Sequence, residues 1–362
     1  MSATLPTTAE TLRAALAGLL DGVPPRQAAQ AVERLIASYR GATPTDAPVL
    51  RDRSDVAAYA AYRMPATFEA VRAALAGLAD AAPSWVPGSH VDVGGGTGAA
   101  VWAADAVWGA AEAGAGGGVA GAEASGAGAG PRSTTRSTTV LDWAEPALAL
   151  GRELAASGTA GPRAAEWRRA RIGAALRLPD SDLVTVSYVL NELPEPDRAA
   201  LVAEAARAGR AVVIVEPGTP DGYLRIMAAR DGLTGAGLRI AAPCPHSGAC
   251  PIERGTDWCH FAARVSRSSL HRQVKGGSLP YEDEKFSYVA AVRPDVAEVP
   301  GRARVVRKPQ IRKGQVLLDL CERDGGLSRA TVTKRQGVLY RAARDAGWGD
   351  KWPPAAADGA EL

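Results

Sequence analysis

The stretch His90-Val91-Asp92-Val93-Gly94-Gly95-Gly96-Thr97-Gly98-Ala99 decides the fold of this chain. A short apolar run ends in four glycines, and helix-forming alanines follow. Glycine reaches positive φ without cost and lets the backbone approach a ligand beside a helix N-terminus. The turn also fits G-x-G-x-x-A, so by itself it does not separate a dinucleotide from S-adenosylmethionine. Its neighbours favour the methyl donor. Asp92 stands at the strand end, where an acidic group meets an amino-acid portion. Asp142 closes the next strand, Val140-Leu-Asp142, where a carboxylate accepts from ribose hydroxyls. The donor-binding set is therefore Asp92, Gly94, Gly95, Gly96, Gly98 and Asp142. The run Ser187-Tyr-Val-Leu-Asn191-Glu192-Leu-Pro194 follows a later strand and lines the pocket beneath the transferred group, with Asn191 and Glu192 as its catalytic candidates.

Outward from this loop, short apolar runs alternate with helical stretches. Leu183–Val186 and Ala211–Val215 read as further strands, with Ala147–Ala156 and Pro196–Arg207 as helices. Such a series predicts a mainly parallel, doubly wound α/β sheet over residues 83–240. Residues 110–139, rich in Gly, Ala, Ser and Thr, read as a low-complexity surface insertion. Residues 1–82 form an N-terminal helical region: 8–40 has helical spacing, and a second stretch from Asp55 to Ala81 is expected to break at Pro65. Residues 241–352 form a separate cysteine-rich, basic module, helical from Ser328 to Trp352, and 353–362 a disordered tail.

The chain has 362 residues, 46% of them hydrophobic and 22% charged, enough for one large or two ordinary domains. His260–Trp352 holds nineteen Lys and Arg against ten Asp and Glu, so a basic quarter rides on an acidic body and points to a polyanionic partner. No apolar run approaches a membrane span, and Met1–Leu20 has neither a secretory nor an organelle-targeting pattern. A bacterial cytoplasmic location is the expectation, with thiols kept reduced. Nothing in the pattern fixes the oligomeric state.

Cys244, Cys250, Cys259 and Cys321 are then better read as metal ligands or core residues than as disulfides. Four thiols close a tetrahedral zinc site or a four-iron cluster, and spacing alone leaves the two level. The run is not the C-x-x-x-C-x-x-C of a radical enzyme, and a fourth thiol is present, so electron-transfer catalysis is disfavoured. Around them lie Arg264, Arg267, Arg272, Lys275, Arg307, Lys308, Arg312, Lys313, Lys334 and Arg335, interleaved with aromatics. Binding a phosphate backbone and unpaired bases requires that combination. Glu282, Asp283 and Glu284 are expected to pair with these cations rather than to perform acid–base chemistry.

Several ordered motifs carry a resemblance. They are Tyr62-Arg-Met-Pro-Ala-Thr67, Val91–Gly98, Asn191-Glu-Leu-Pro194, Glu216-Pro-Gly218, Cys244-Pro-His246, Trp258-Cys-His-Phe261, Tyr281–Tyr288, Leu317–Cys321, Gly337-Val-Leu-Tyr340 and Trp348-Gly-Asp350. Together, over roughly Val56–Asp350, they resemble the methyltransferase-like family of mitochondrial small-ribosomal-subunit assembly factors and their bacterial relatives, of the methyltransferase-like protein 17 type. The resemblance implies a class I S-adenosylmethionine-dependent methyltransferase (Rossmann-like) fold and association with the small ribosomal subunit and its rRNA. It also implies a 4Fe-4S cluster on Cys244, Cys250, Cys259 and Cys321, which tips the metal from zinc to iron–sulfur. Two roles follow from it: a methyltransferase acting on the subunit or its rRNA, or a non-catalytic assembly factor that keeps the fold as a scaffold.

Overall fold

The computed structural model describes residues 6–21, 24–40, 53–115, 135–297 and 302–354. The disordered tail expected at 353–362 therefore lies almost wholly outside the described residues. Three helices lead: α1 (Thr8–Gly18), α2 (Pro25–Arg40) and α3 (Arg53–Ala81). Thr7 and Glu10 close a reciprocal capping box on α1. Contrary to the expected break, α3 runs through Pro65. A proline removes one helical donor and crowds the carbonyl four residues back. Met64, Phe68, Val71, Leu75 and Leu78, spaced by three and four, are all buried, and this packing holds the helix together across the defect.

The alternation that follows is β1 (Ser89–Val93), α4 (Ala99–Ala115), β2 (Ser137–Asp142), α5 (Glu145–Ala155), α6 (Ala160–Arg163), β3 (Glu166–Arg169), β4 (Ser181–Ser187), α7 (Glu195–Ala208), β5 (Gly209–Pro217), α8 (Pro220–Gly235) and β6 (Arg239–Ala242). Helix α4 and strand β2 trim the insertion expected at 110–139, and residues 116–134 lie outside the described residues. Then come β7 (Phe261–Ser266), α9 (Ser269–Lys275) and β8 (Tyr281–Val292). The sheet order is β3-β2-β1-β4-β5-β8-β6, with β7 also on β8. Strands β3 through β5 are parallel, while β8 inserts antiparallel between β5 and β6.

Strands β1, β4 and β5 read as almost unbroken apolar runs because both faces are covered. Ala211, Val213 and Val215 of β5 pack on the α3–α4 side, and Val212 and Ile214 on the α7–α8 side. Strand order reverses between β1 and β4, and ligands of open α/β sheets sit at the carboxyl ends of such a pair. The glycine loop and the Ser187–Pro194 run both emerge there.

A second, antiparallel sheet comprises β9 (Ala303–Val305), β10 (Gln310–Arg312), β11 (Gln315–Cys321), β12 (Leu327–Thr333) and β13 (Lys351–Trp352), covered by α10 (Gly337–Asp345). The helix expected across 328–352 is thus mostly replaced: the β-branched Thr331-Val-Thr333 pairs with β11, and only α10 is helical. Val305, Val316, Leu318, Leu320, Val332, Leu339 and Trp352 form its core. Buried Arg304 joins this sheet to the first body. Its Nε donates to the Pro243 carbonyl at 2.8 Å and its Nη1 to that of Gly349 at 2.6 Å. Arg304→Met leaves two carbonyls short of charge-assisted donors, which predicts a loss of about 2–4 kcal/mol in denaturant unfolding, with the second sheet becoming sensitive to limited proteolysis first.

Candidate functional site

Gly94, Gly96 and Gly98 adopt φ of +68°, +53° and +86°. The protein's own packing explains most of the glycines. A Cβ on Gly94 would overlap Val189, one on Gly95 the Asp92 carboxylate and Val140, and one on Gly98 the Trp167 ring. Gly96 differs, because the nearest atom to its missing Cβ is Asp142 Oδ2 at 3.8 Å. It is the glycine of the loop whose added Cβ would meet only an ordinary van der Waals contact. Asp142 accepts from the Gly96 amide at 2.9 Å and from the Ala144 amide at 2.8 Å, so it fastens the loop to the end of β2.

Asp92 lies beneath. Its Oδ1 accepts from Thr185 Oγ1 at 2.8 Å, while its buried Oδ2 has no partner. Burial pushes Asp92 up to about 7, against the pull of the Thr185 hydrogen bond and with help from Asp142. His90 Nε2 sits 2.8 Å from the same Thr185 hydroxyl. Burial, and then the charge of Arg136, push His90 down to about 3, so this imidazole is neutral.

Asn191 and Glu192 occupy a 3₁₀ turn, Leu190–Glu192, beyond β4, and both side chains reach solvent. Surrounding protein, followed by the carboxylates Asp142 and Glu216, nevertheless pushes Glu192 up to about 7. The turn is held from behind by Glu216, which is fully buried. Its Oε1 accepts from the Leu190 amide at 3.0 Å and its Oε2 from Arg225 Nε at 2.6 Å.

Tyr188, second in the Ser187–Pro194 run, has φ +62°, an uncommon and strained conformation for a bulky residue. Its hydroxyl donates to Glu284 Oε1 at 3.1 Å. Arg63 of α3 makes a two-pronged pair with Glu284, at 3.0 and 2.6 Å, and lies 5.0 Å over the Tyr188 ring. Thr97 of the glycine loop donates to Met64 Sδ at 3.3 Å, so the Tyr62–Thr67 motif of α3 covers the crevice. Sequence reasoning placed Tyr188 in the pocket-lining run and Arg63 and Glu216 in the resemblance motifs, but gave none of them a partner and did not single out Arg225. The unbroken charge of Glu216 in an apolar strand was the available signal, since a buried carboxylate demands a partner.

The four cysteines, none in a disulfide, line one cavity. Cys244, Cys250 and Cys259 lie on the connection from β6 to β7, and Cys321 ends β11 in the other sheet. Burial pushes Cys244 up, Cys259 well up and Cys321 up to about 12, with neighbouring thiols adding to each. Tyr223 Oη lies 3.5 Å from Cys250 Sγ, and His246 Nε2 lies 3.6 Å from Cys321 Sγ. Among the described residues, no group of three or more His, Cys, Asp or Glu side chains is spaced to hold a single metal ion.

The basic residues divide into two sets. Arg264 pairs with Asp283 at 2.9 Å, and Glu282 takes both Arg267 at 3.2 Å and Lys275. Those two acids meet the expected partners, but Glu284 turns instead to Arg63 of α3. Arg272 donates to the Arg267 carbonyl at 3.0 Å, and Arg307 pairs with Asp257. Lys308, Arg312, Lys313, Lys334 and Arg335 are exposed, with no carboxylate partner among the described residues. The Lys334 amide donates to the Gly314 carbonyl at 3.0 Å, which gathers Arg312, Lys313, Lys334 and Arg335 at one end of the second sheet.

This strand order, with the glycine loop at its switch point, defines a class I S-adenosylmethionine-dependent methyltransferase fold. A match over residues 53–115 and 114–353 shows that the chain belongs to the family described as "Mitochondrial small ribosomal subunit Rsm22". Human "Ribosome assembly protein METTL17, mitochondrial" is 28% identical over 313 residues, covering 82% of this chain and 62% of that protein. "Ribosome assembly protein RSM22, mitochondrial" of Saccharomyces cerevisiae is 24% identical over 183 residues, covering 33% of this chain and 29% of that protein. The chain thus spans about three-fifths of the human relative's length. Among solved structures, the magnesium protoporphyrin IX methyltransferase of Synechocystis PCC 6803 aligns with 81% of this chain and 100% of its own. Its identity is 13% and its TM-score 0.38, a likeness that carries no weight beside the strand order itself. The expectation of a bacterial cytoplasmic protein is overturned, because these relatives and those of Schizosaccharomyces pombe are mitochondrial proteins of eukaryotes. Among the described residues, no helix is long and apolar enough to cross a membrane.

Two outcomes follow from this geometry. Gly98→Ala meets Trp167 and should abolish folding or lower the melting temperature steeply. Gly96→Ala meets no clash at φ +53° and should cost only about 1–2 kcal/mol, as thermal melts of the pair would show. Asp92, raised from 3.8 to about 7, holds its proton in the folded chain and loses it in the unfolded chain between those values. Its contribution to stability is full below about pH 4 and is lost as pH rises through 7. Denaturant titrations across that window should show a downward slope that Asp92→Asn flattens.

Proposed function

We propose that this chain binds S-adenosylmethionine in the crevice between β1 and β4. We propose further that it engages small-subunit rRNA through the basic end of its second sheet, as an assembly factor of the small ribosomal subunit. The observation that carries the reading is that basic end: Arg312, Lys313, Lys334 and Arg335, exposed and without carboxylate partners among the described residues, ride on the same chain as the crevice. Cations already neutralised within the protein, such as Arg264 and Lys275, would release few counterions on meeting a phosphate backbone.

The residues of the crevice fit the donor. Asp92 Oδ2 is a buried acceptor without a partner, and Gly96 brings bare backbone beside Asp142 with no side chain between. When bound, the sulfonium supplies an activated methyl group. In this reading, Asp92 and Asp142 accept hydrogen bonds from its amino and ribose portions. Glu192, poised near neutrality, accepts the proton of an incoming nucleophile, and Asn191 orients that nucleophile beside it. A second reading, a scaffold without methyl transfer, is favoured by Arg63, which lies over the Tyr188 ring and is locked there by its two-pronged pair with Glu284.

Four free thiols on one cavity, Cys321 buried and the other three half-buried, also fit a metal centre. Four thiols close either a 4Fe-4S cluster or a tetrahedral zinc site, and the resemblance carried by the ordered cysteine motifs favours the cluster. Cys244, Cys250, Cys259 and Cys321 would hold such a centre, which would tie the second sheet to the first body. Anaerobic purification with iron, sulfide and zinc analysis tests it; a colourless protein with stoichiometric zinc would reverse the assignment.

For the RNA, the triple substitution Lys313→Ala, Lys334→Ala, Arg335→Ala should weaken binding to a small-subunit rRNA fragment. It should also make the plot of log affinity against log salt shallower by about 2. Arg264→Ala should leave that slope unchanged. Equal slopes for the triple variant and the parent would sink the proposed surface.

A further inference from the structure

Helix α8 stands between the two candidate sites. Tyr223 and Arg230, seven residues and close to two full turns apart, share one face. Tyr223 Oη lies 3.5 Å from Cys250 Sγ, and Arg230 donates to the carbonyls of His246 at 3.2 Å and Gly248 at 2.5 Å, in the loop that carries Cys244 and Cys250. Arg225, two residues from Tyr223, emerges on nearly the opposite face. There it meets Glu216, whose other oxygen holds the Leu190 amide of the turn bearing Glu192. A second route runs beside the helix. Glu216 of β5 is paired in register with Ser287 of β8, and Ser287 Oγ donates to the Cys259 carbonyl at 2.7 Å. Trp258 Nε1 donates to the Gly218 carbonyl, just past β5, at 3.0 Å.

We propose that Glu216 is a positioning residue through which the occupant of the cysteine cavity sets the affinity of the donor crevice. This rests on the two sites proposed above and adds the coupling between them. With the cavity filled, the loops of Cys250 and Cys259 are fixed. Helix α8 is then held in place, and Arg225 keeps Glu216 on the Leu190 amide. With the cavity empty, the loops relax and the Arg225 guanidinium moves with its helix. Glu216 is wholly buried and has no water to turn to, so it follows the arginine and releases the turn. Linkage makes the effect reciprocal, and couplings of this kind are worth about fivefold or more in affinity.

The test is calorimetric titration of S-adenosylhomocysteine into anaerobically purified protein, and into the same protein stripped by oxidant and chelator. Both forms are compared for the parent and for Glu216→Gln/Arg225→Met. That double substitution removes both charges together, leaving no unpaired buried ion, and with the guanidinium gone nothing ties the side chain at 216 to helix α8 or fixes it on the Leu190 amide. The parent should bind the probe at least about fivefold more tightly when loaded, and the double variant equally in both forms. If stripping unfolds the protein, the loaded double variant must still bind about fivefold more weakly than the loaded parent at unchanged iron content. Equal affinity in both parental forms, or a variant that keeps the difference, overturns the coupling alone. Absence of probe binding in every form overturns the donor crevice with it, and protein with neither iron nor zinc overturns the metal centre with it.

Discussion

The antiparallel ladder between β5 and β8 sets the geometry on which both candidate sites depend. It runs unbroken from Ala211 opposite Val292 to Pro217 opposite Phe286. Side chains alternate faces along a strand, so a slip of one residue would turn every group on β8 to the wrong side. In the observed register, Glu284 meets Arg63 and Tyr188 at the crevice. Ser287 holds the Cys259 carbonyl, and Tyr288 lines the cavity. The register is secured by burial: the inner half, Phe286–Val292, is wholly buried, while the outer half alternates and carries the acids that neutralise Arg264, Arg267 and Lys275.

Much of the first sheet was legible because parallel strands covered on both faces write themselves as compact apolar runs. Val91-Asp-Val93, Leu183–Val186 and Ala211–Val215 each mark a strand core, and the glycine loop marks the switch point. What failed was decided by tertiary contact. Pro65 is a local stop signal overridden by the buried stripe of α3. Strand β12 and helix α10 were merged into one helix, because Leu327–Thr333 buries little of its own surface and owes its conformation to β11.

The site was legible as a set of residue types, less so as a set of jobs. Asp142 was read as a ribose acceptor, and its two oxygens already hold the Gly96 and Ala144 amides, so it also builds the loop. Counting charge along the chain located the basic quarter but could not say which cations were spent. Ion pairing with the acids of β8 removes Arg264 of β7, Arg267 just beyond it and Lys275 of α9 from the free set and leaves those near Gly314. Pairing between distant segments has no signature in spacing, and for that reason Arg63 and Glu284 were not matched beforehand.

The cysteine cavity has a consequence for how the protein comes into being. Three of its thiols are laid down on one connection, while the fourth closes β11, after β7, β8 and most of the second sheet's first half have been made. Cys321 reaches the other three through the pairing of β11 with β9 and β12, so the cavity is complete only when the antiparallel sheet stands folded against the parallel one.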